Sequence, residues 1–259
     1  MKAPSVLQVM KTRGEKIAVL TCYDASLATL MEQAGMDVLL VGDSLGMVLQ
    51  GAADTLGVTM PDMLYHTRCV AAGAQSTPII ADMPAGSDSS PEAALGNARQ
   101  LLAAGAHMVK LEGNKSAVVR HLTENSIPVC GHLGFTPQSV RELGGYKVQG
   151  RDAAGARKIL EDALALQQAG ASLLVLEMVP AVLAAEVTAA LAIPTIGIGA
   201  GSQCDGQVLV LHDLLGMYPG KTLRFTRNFL QDTGNIPAAL AAYVRAVKNG
   251  EFPAPEHSF

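Results

Sequence analysis

The chain has 259 residues, enough for one large α/β domain or two smaller ones, and its 49% apolar content comes with no Trp and only 16% charged residues. A net charge of −4 without any Lys/Arg run excludes a nucleic-acid footprint. Cys22, Cys69, Cys130 and Cys204 are widely spread and form no CxxC pair, which argues against a disulfide framework and for free thiols in a reducing compartment.

Strand and helix patterns alternate along the chain. Residues 17–22 read as a first strand and 25–33 as an amphipathic helix that ends at Gly35. The second strand, 38–41, is followed after a longer segment by a helix over 60–74. A third strand at 78–81 precedes a helix over 90–104, and a fourth at 108–111 precedes one over 116–125. The fifth strand, 128–130, leads into a glycine-containing connection through Gly150 and a helix over 153–169. Strand six is 173–176, its helix 182–191, strand seven 195–198 and strand eight 208–211, and 236–248 forms a terminal helix. Glycines 35, 105, 170 and 73 close helices just before strands, where a left-handed cap is expected.

Continuous Val/Ile/Leu runs of this kind require a parallel sheet buried on both faces. Eight of them with helices between, and no linker composition, predict a single (β/α)₈ barrel spanning 1–259 with a C-terminal helical tail; a doubly wound open sheet is the alternative. The most apolar stretch, 171–201, is interrupted by Glu177, Pro180, Glu186 and Pro194, so no membrane span is expected. The N-terminal segment reaches Lys11, Arg13, Glu15 and Lys16 without a long apolar core, so no signal peptide is expected and the protein reads as soluble and cytoplasmic. A surface so poor in charge is expected to bury part of itself in a homo-oligomer.

Five strand-like runs stop on, or just before, an acid: Asp43, Asp82, Glu112, Glu177 and Asp213. In a closed parallel barrel these ends face one mouth, and clustered carboxylates are relieved by a divalent cation. Asp43, Asp82 and Glu112 close consecutive strands and are candidate ligands for one octahedral Mg²⁺; singly, each would serve equally as a helix cap or a solvated acid. Lys110 shares a strand face with Glu112, where it binds a substrate carboxylate or neutralises that acid. Ser44, beside Asp43, offers a hydroxyl and a backbone N–H to a carboxylate. Glu177, across the mouth and walled by Met178 and Val179, suits a general base, with a structural acid as the alternative. Asp213 rests on a weaker strand assignment. His132, directly after strand five, is the histidine best placed to assist. Gly197, Gly199 and Gly201 do not match a dinucleotide fingerprint and suit a phosphate site or a close backbone approach.

Seven segments in register carry a resemblance over about 18–225: Leu20-Thr21-Cys22-Tyr23-Asp24, Val41-Gly42-Asp43-Ser44-Leu45-Gly46, Ala81-Asp82-Met83-Pro84, Val109-Lys110-Leu111-Glu112-Gly113, Gly131-His132-Leu133-Gly134 with Thr136-Pro137-Gln138, Gly144 to Arg151, and Ile196 to Gly201. Together they resemble the ketopantoate (3-methyl-2-oxobutanoate) hydroxymethyltransferase family. The resemblance implies a (β/α)₈ barrel, Mg²⁺, a 2-oxo acid substrate, and 5,10-methylenetetrahydrofolate as one-carbon donor. It implies Asp43, Asp82 and Glu112 as metal ligands. Asp43, Ser44, Asp82 and Lys110 become the oxo-acid site, and Glu177 the proton acceptor. A large ring-stacked homo-oligomer, a decamer, is also implied. Two rivals are a Mg²⁺-dependent lyase or mutase of the phosphoenolpyruvate type, which would usually need a catalytic group on a mobile loop, and a non-enzymatic barrel, which would be expected to lack at least one of the four carboxylates.

Overall fold

Strands apolar on both faces need helices on one side and a filled interior on the other, and a closed barrel supplies both. The computed structural model describes residues 3–220 and 222–259; Met1, Lys2 and Lys221 lie outside the described residues. The elements in chain order begin with helix α1 (Ala3–Thr12), strand β1 (Ile17–Thr21), α2 (Ala25–Gln33), β2 (Val38–Val41), α3 (Leu45–Val48) and α4 (Met60–Gly73). They continue with β3 (Ile79–Asp82), α5 (Pro91–Ala103), β4 (Met108–Glu112), α6 (Ser116–Glu124), β5 (Val129–Gly134) and α7 (Ala153–Gln168). The last are β6 (Leu173–Glu177), α8 (Ala181–Ala190), β7 (Thr195–Ile198), β8 (Gly206–Leu209), α9 (Leu211–Leu214), α10 (Phe229–Thr233) and α11 (Ile236–Lys248). Each strand pairs in parallel with the next, and β8 pairs with β1, so the sheet is a closed barrel and not the open doubly wound alternative. No helix among the described residues is long and apolar enough to cross a membrane. Cys22, Cys130 and Cys204 are buried free thiols, and Cys69 is a partly exposed one.

Three local differences from the sequence pattern matter. β8 begins at Gly206 and ends at Leu209, so His212 and Asp213 stand on α9 and not at a strand end. β5 runs on to Gly134, which places His132 inside the strand; Gly131 there admits the side chains of Leu166 and Leu174, which would meet a Cβ at 3.0 and 3.1 Å. Gly35, Gly105 and Gly170 are left-handed, as a helix-ending glycine should be, but Gly73 is not. It is the last residue of α4, and a Cβ there would lie 2.0 Å from the carbonyl oxygen of Ala25. Its role is close helix packing, with Thr29 Oγ1 donating to its carbonyl at 3.0 Å.

The end of the barrel away from the carboxylates is closed by α1. Leu7 is buried, Lys11 Nζ lies 2.8 Å from Asp205 Oδ2 just before β8, and it donates to Thr188 O at 3.0 Å. On the outside, α11 covers β1, and the buried Tyr243 hydroxyl reaches Val19 O at 2.9 Å and Gln207 O at 3.1 Å. That one side chain holds both strands of the closing seam.

Between α4 and β3 the chain turns around a single carboxylate. Glu32, in the last turn of α2, accepts the N–H groups of Ser76 at 2.9 Å, Thr77 at 2.8 Å and Gln75 at 3.0 Å. The Ser76 N–H, with those of Thr77 and Gln75, outweighs partial desolvation and holds the carboxyl down to about 2, against an ordinary 4.5. Since the folded-state pKa is depressed, the contribution is complete above pH 4.5 and fades as pH falls toward 2. Solvent screens this site, so Glu32→Gln is expected to cost only on the order of 0.5–1.5 kcal/mol at pH 7. Melting curves of parent and variant should converge as pH drops below about 4; a gap that does not narrow would remove this role.

Candidate active site

Parallel strands in register bring their C-terminal ends to one rim, and here that rim is acidic. Across β3 and β4, Asp82 stands beside Lys110; across β4 and β5, Glu112 beside His132; across β5 and β6, Gly134 beside Glu177. Asp43 and Ser44 follow β2 after Gly42. All six predicted site residues, Asp43, Ser44, Asp82, Lys110, Glu112 and Glu177, line one cavity with His132, and its empty volume including the open mouth is about 880 Å³. The rest of the wall is largely apolar, with Leu40, Val175, Ile198, Val208 and Leu209 among its residues.

Burial makes every polar contact in this cavity costly to leave unmade. Asp43 N–H donates to Asp82 Oδ2 at 3.0 Å, and Lys110 Nζ stands 2.9 Å from Asp82 Oδ1. Desolvation alone would lower the Lys110 pKa, but the charges of Asp82, Glu112 and Asp43 raise it above the ordinary lysine value. Burial, then Asp82 and Glu112, push the Asp43 carboxyl well above its usual range despite the pull of Lys110. Ser44 Oγ lies 2.9 Å from the buried Tyr23 hydroxyl, which fixes its direction.

His132 links the two sides of the cavity. Its Nδ1 is 3.5 Å from Glu112 Oε1 and its Nε2 3.2 Å from Glu177 Oε2. Burial and the Lys110 charge oppose protonation, but the nearby Glu112 and Glu177 carboxyl groups prevail and raise the imidazole to about 9. Burial likewise opposes the charge on Glu112, yet the adjacent His132, Lys110 and the Gln138 N–H hold its carboxyl below the usual range.

A hard divalent cation fits this set of oxygens. Four carboxyl groups, Asp43, Asp82, Glu112 and Glu177, share the cavity with one lysine and one histidine, so hard oxygen donors outnumber the basic side chains. Asp82 Oδ1 and Glu112 Oε1 are buried without a well-directed hydrogen bond, and Asp43 carries the raised proton affinity that a cation would displace. Among the described residues no three His, Cys, Asp or Glu side chains are drawn together as a ready-made metal cluster. Lys110 and Gln138 instead engage Asp82 and Asp43 directly.

Gln138 is the polar residue that sequence reading passed over. Its Nε2 donates to Asp43 Oδ2 at 2.8 Å and to Met83 O at 2.9 Å, and its backbone N–H donates to Glu112 Oε2 at 2.9 Å. Its signal was only its place in a motif after β5, since a neutral amide in the short 3₁₀ turn Pro137–Ser139 carries no pattern. Tyr146, from the 144–151 connection, also lines the cavity, its ring 4.8 Å from that of Phe135. Asp213 reaches the cavity from α9. The glycines after β7 serve close packing within this chain: a Cβ on Gly199 would lie 2.9 Å from Phe225 and 3.1 Å from Phe259.

Residues 2–255 match the family model described as Ketopantoate hydroxymethyltransferase. A 3-methyl-2-oxobutanoate hydroxymethyltransferase of Methylobacillus flagellatus is 62% identical over 256 residues, covering 98% of each chain. The enzyme of that name from Nitrosospira multiformis is 59% identical over 257 residues, again 98% of each. Among solved structures, phosphonopyruvate hydrolase in complex with oxalate and Mg²⁺ aligns over 99% of this chain and 93% of its own, with a TM-score of 0.63 at 13% identity. Oxaloacetate acetylhydrolase in complex with 3,3-difluorooxalacetate aligns over 98% of each chain, with a TM-score of 0.63 at 15% identity. At such identities these two share the fold alone. The full-length match and the close relatives decide the matter: the chain belongs to the ketopantoate hydroxymethyltransferase family.

Proposed function

We propose that the protein transfers a hydroxymethyl group from 5,10-methylenetetrahydrofolate to 3-methyl-2-oxobutanoate, giving 2-dehydropantoate for pantothenate synthesis. The observation that carries this reading, beside family membership, is Glu177 in one cavity with Asp43, Asp82, Glu112 and Lys110. Asp43, Asp82 and Glu112 are the side chains that would hold Mg²⁺, and their hard oxygens would accept Mn²⁺ or Co²⁺ as well. Bound there, the cation supplies Lewis acidity toward the 2-oxo group and so raises the acidity of the neighbouring C3 hydrogen. Phosphonopyruvate hydrolase, which binds oxalate and Mg²⁺ on this fold, supports that assignment.

The protein's own groups then have distinct tasks. Lys110 and the Ser44 hydroxyl, the latter aimed by Tyr23, bind the substrate carboxylate. Val175, Ile198 and Val208 give the branched alkyl group an apolar wall. Glu177 removes the C3 proton, and the His132 contact holds its carboxylate in place. A new carbon–carbon bond at C3 replaces the C–H bond, both C–N bonds that tie the one-carbon unit to the folate break, one water supplies the hydroxyl oxygen, and the C3 proton and one water proton end on the two folate nitrogens. The same reading takes the protein to be a cytoplasmic homo-oligomer, for which Tyr65 and Val182, 59% and 73% exposed, offer apolar surface.

Proton NMR of 3-methyl-2-oxobutanoate in D₂O tests the reading. With protein and Mg²⁺ the C3 proton signal is expected to disappear without folate, and chelating the metal should stop the loss. Absence of exchange both without and with 5,10-methylenetetrahydrofolate would overturn the proposal.

A further inference from the structure

One carboxylate in the cavity has no part in handling the oxo acid. Asp213 projects from α9 into the lining, and among the described residues its side chain has no hydrogen bond or ion pair. It sits in largely apolar company, with Tyr218, Leu223 and Phe225 lining the same cavity. Burial raises its carboxyl to about 6, which marks an unmet need for donors. The same cavity has an aromatic surface. Tyr146 is 45% exposed, backed by Phe135 at 4.8 Å, and steadied by its hydroxyl 3.6 Å from Met47 Sδ. Tyr146, Tyr218 and Asp213 line the same cavity as Glu177.

We infer that Asp213 and Tyr146 form the subsite for the pterin end of the folate co-substrate, Asp213 accepting from its 2-amino-4-oxo-pyrimidine edge and Tyr146 stacking on its ring. This rests on the function proposed above and adds residues to it. The pterin edge presents an N3–H and a 2-amino N–H side by side, two parallel donors of the kind that a carboxylate accepts bidentately. A flat heterocycle gains most from an aromatic side chain that is already held by a second ring. Tyr146 and Asp213 line the same cavity as Glu177, so a ring seated there would hold the one-carbon unit in the cavity where the C3 proton leaves.

Calorimetric titration with tetrahydrofolate, which lacks the one-carbon unit, reads this subsite without turnover. Asp213→Asn is expected to bind tetrahydrofolate at least about tenfold more weakly than the parent, because one acceptor becomes a donor facing a donor. Tyr146→Leu is expected to weaken binding similarly, whereas Tyr146→Phe keeps it. Titration of each variant with 3-methyl-2-oxobutanoate in the presence of Mg²⁺ shows that the barrel is intact. Parent-like tetrahydrofolate affinity in Asp213→Asn would overturn the inference while leaving the proposed function standing. A parent protein that binds the oxo acid but no tetrahydrofolate would overturn the folate reading, and this subsite with it.

Discussion

Glu177→Gln is expected to retain binding of Mg²⁺ and 3-methyl-2-oxobutanoate while C3 proton exchange falls by about 10²–10⁴-fold. The amide keeps the size and one acceptor of the carboxylate, so the contact now 3.2 Å from His132 Nε2 can persist. What disappears is an atom able to take a proton. A change in proton-transfer rate without a change in oxo-acid affinity separates a base from a binding group. Titration of the variant with oxo acid and Mg²⁺, followed by the D₂O experiment, gives both quantities. Parent-like exchange would transfer the base role elsewhere in the cavity, and His132 would be the next side chain to examine.

Lys110→Met should produce the largest change in stability. The ammonium is 5% exposed and stands among Asp82, Glu112 and Asp43, so removing it strands three carboxylates in a confined space. Breaking a buried pair from one side costs about 3–5 kcal/mol. Without divalent cations the variant should melt well below the parent. Mg²⁺ should then raise its melting temperature by more than it raises the parent's, because a cation in the same space restores the lost countercharge. Oxo-acid affinity should stay weakened by roughly 10–100-fold even with Mg²⁺, as expected for a lost charge-assisted bond. Equal Mg²⁺ shifts in the two proteins would separate Lys110 from the acid cluster. The two substitutions thus probe opposite sides of the cavity, one through a rate and the other through a melting curve.

The parts of this protein that could be read directly from its residues are those with a repeated physical constraint. Strand runs such as Val38–Val41 and Leu173–Glu177 are apolar because both faces are covered, and that constraint leaves a mark on every residue. Asp82, Glu112 and Glu177 were legible because an acid ending a buried strand is conspicuous and the barrel sends such ends to one rim. His132 was harder: Gly131 and Gly134 around it read as a loop, although one admits neighbouring leucines within a strand. Gln138 carried no charge and no periodicity, so its bonds to Asp43 and Met83 appear only in three dimensions. Asp213 was assigned to a strand that stops at Leu209, and a short helix carries it into the cavity instead. α1 was missed because its segment was weighed only as a leader, while the burial of Leu7 and the reach of Lys11 to Asp205 depend on residues far along the chain.

The seam held by Tyr243 has a consequence for how the protein is made. β1 pairs with β8, and the hydroxyl that bridges Val19 and Gln207 comes from α11. On the ribosome, the first strand emerges nearly two hundred residues before its final neighbour, and the tyrosine that secures them follows later still. Throughout that interval β1 has one open edge, the kind of surface to which other chains add strands. Closure joins residues far apart in the chain, so translation must have passed β8 before the ring can exist. The period of greatest exposure to aggregation, and of greatest value for a chaperone, is therefore set by the distance from β1 to α11.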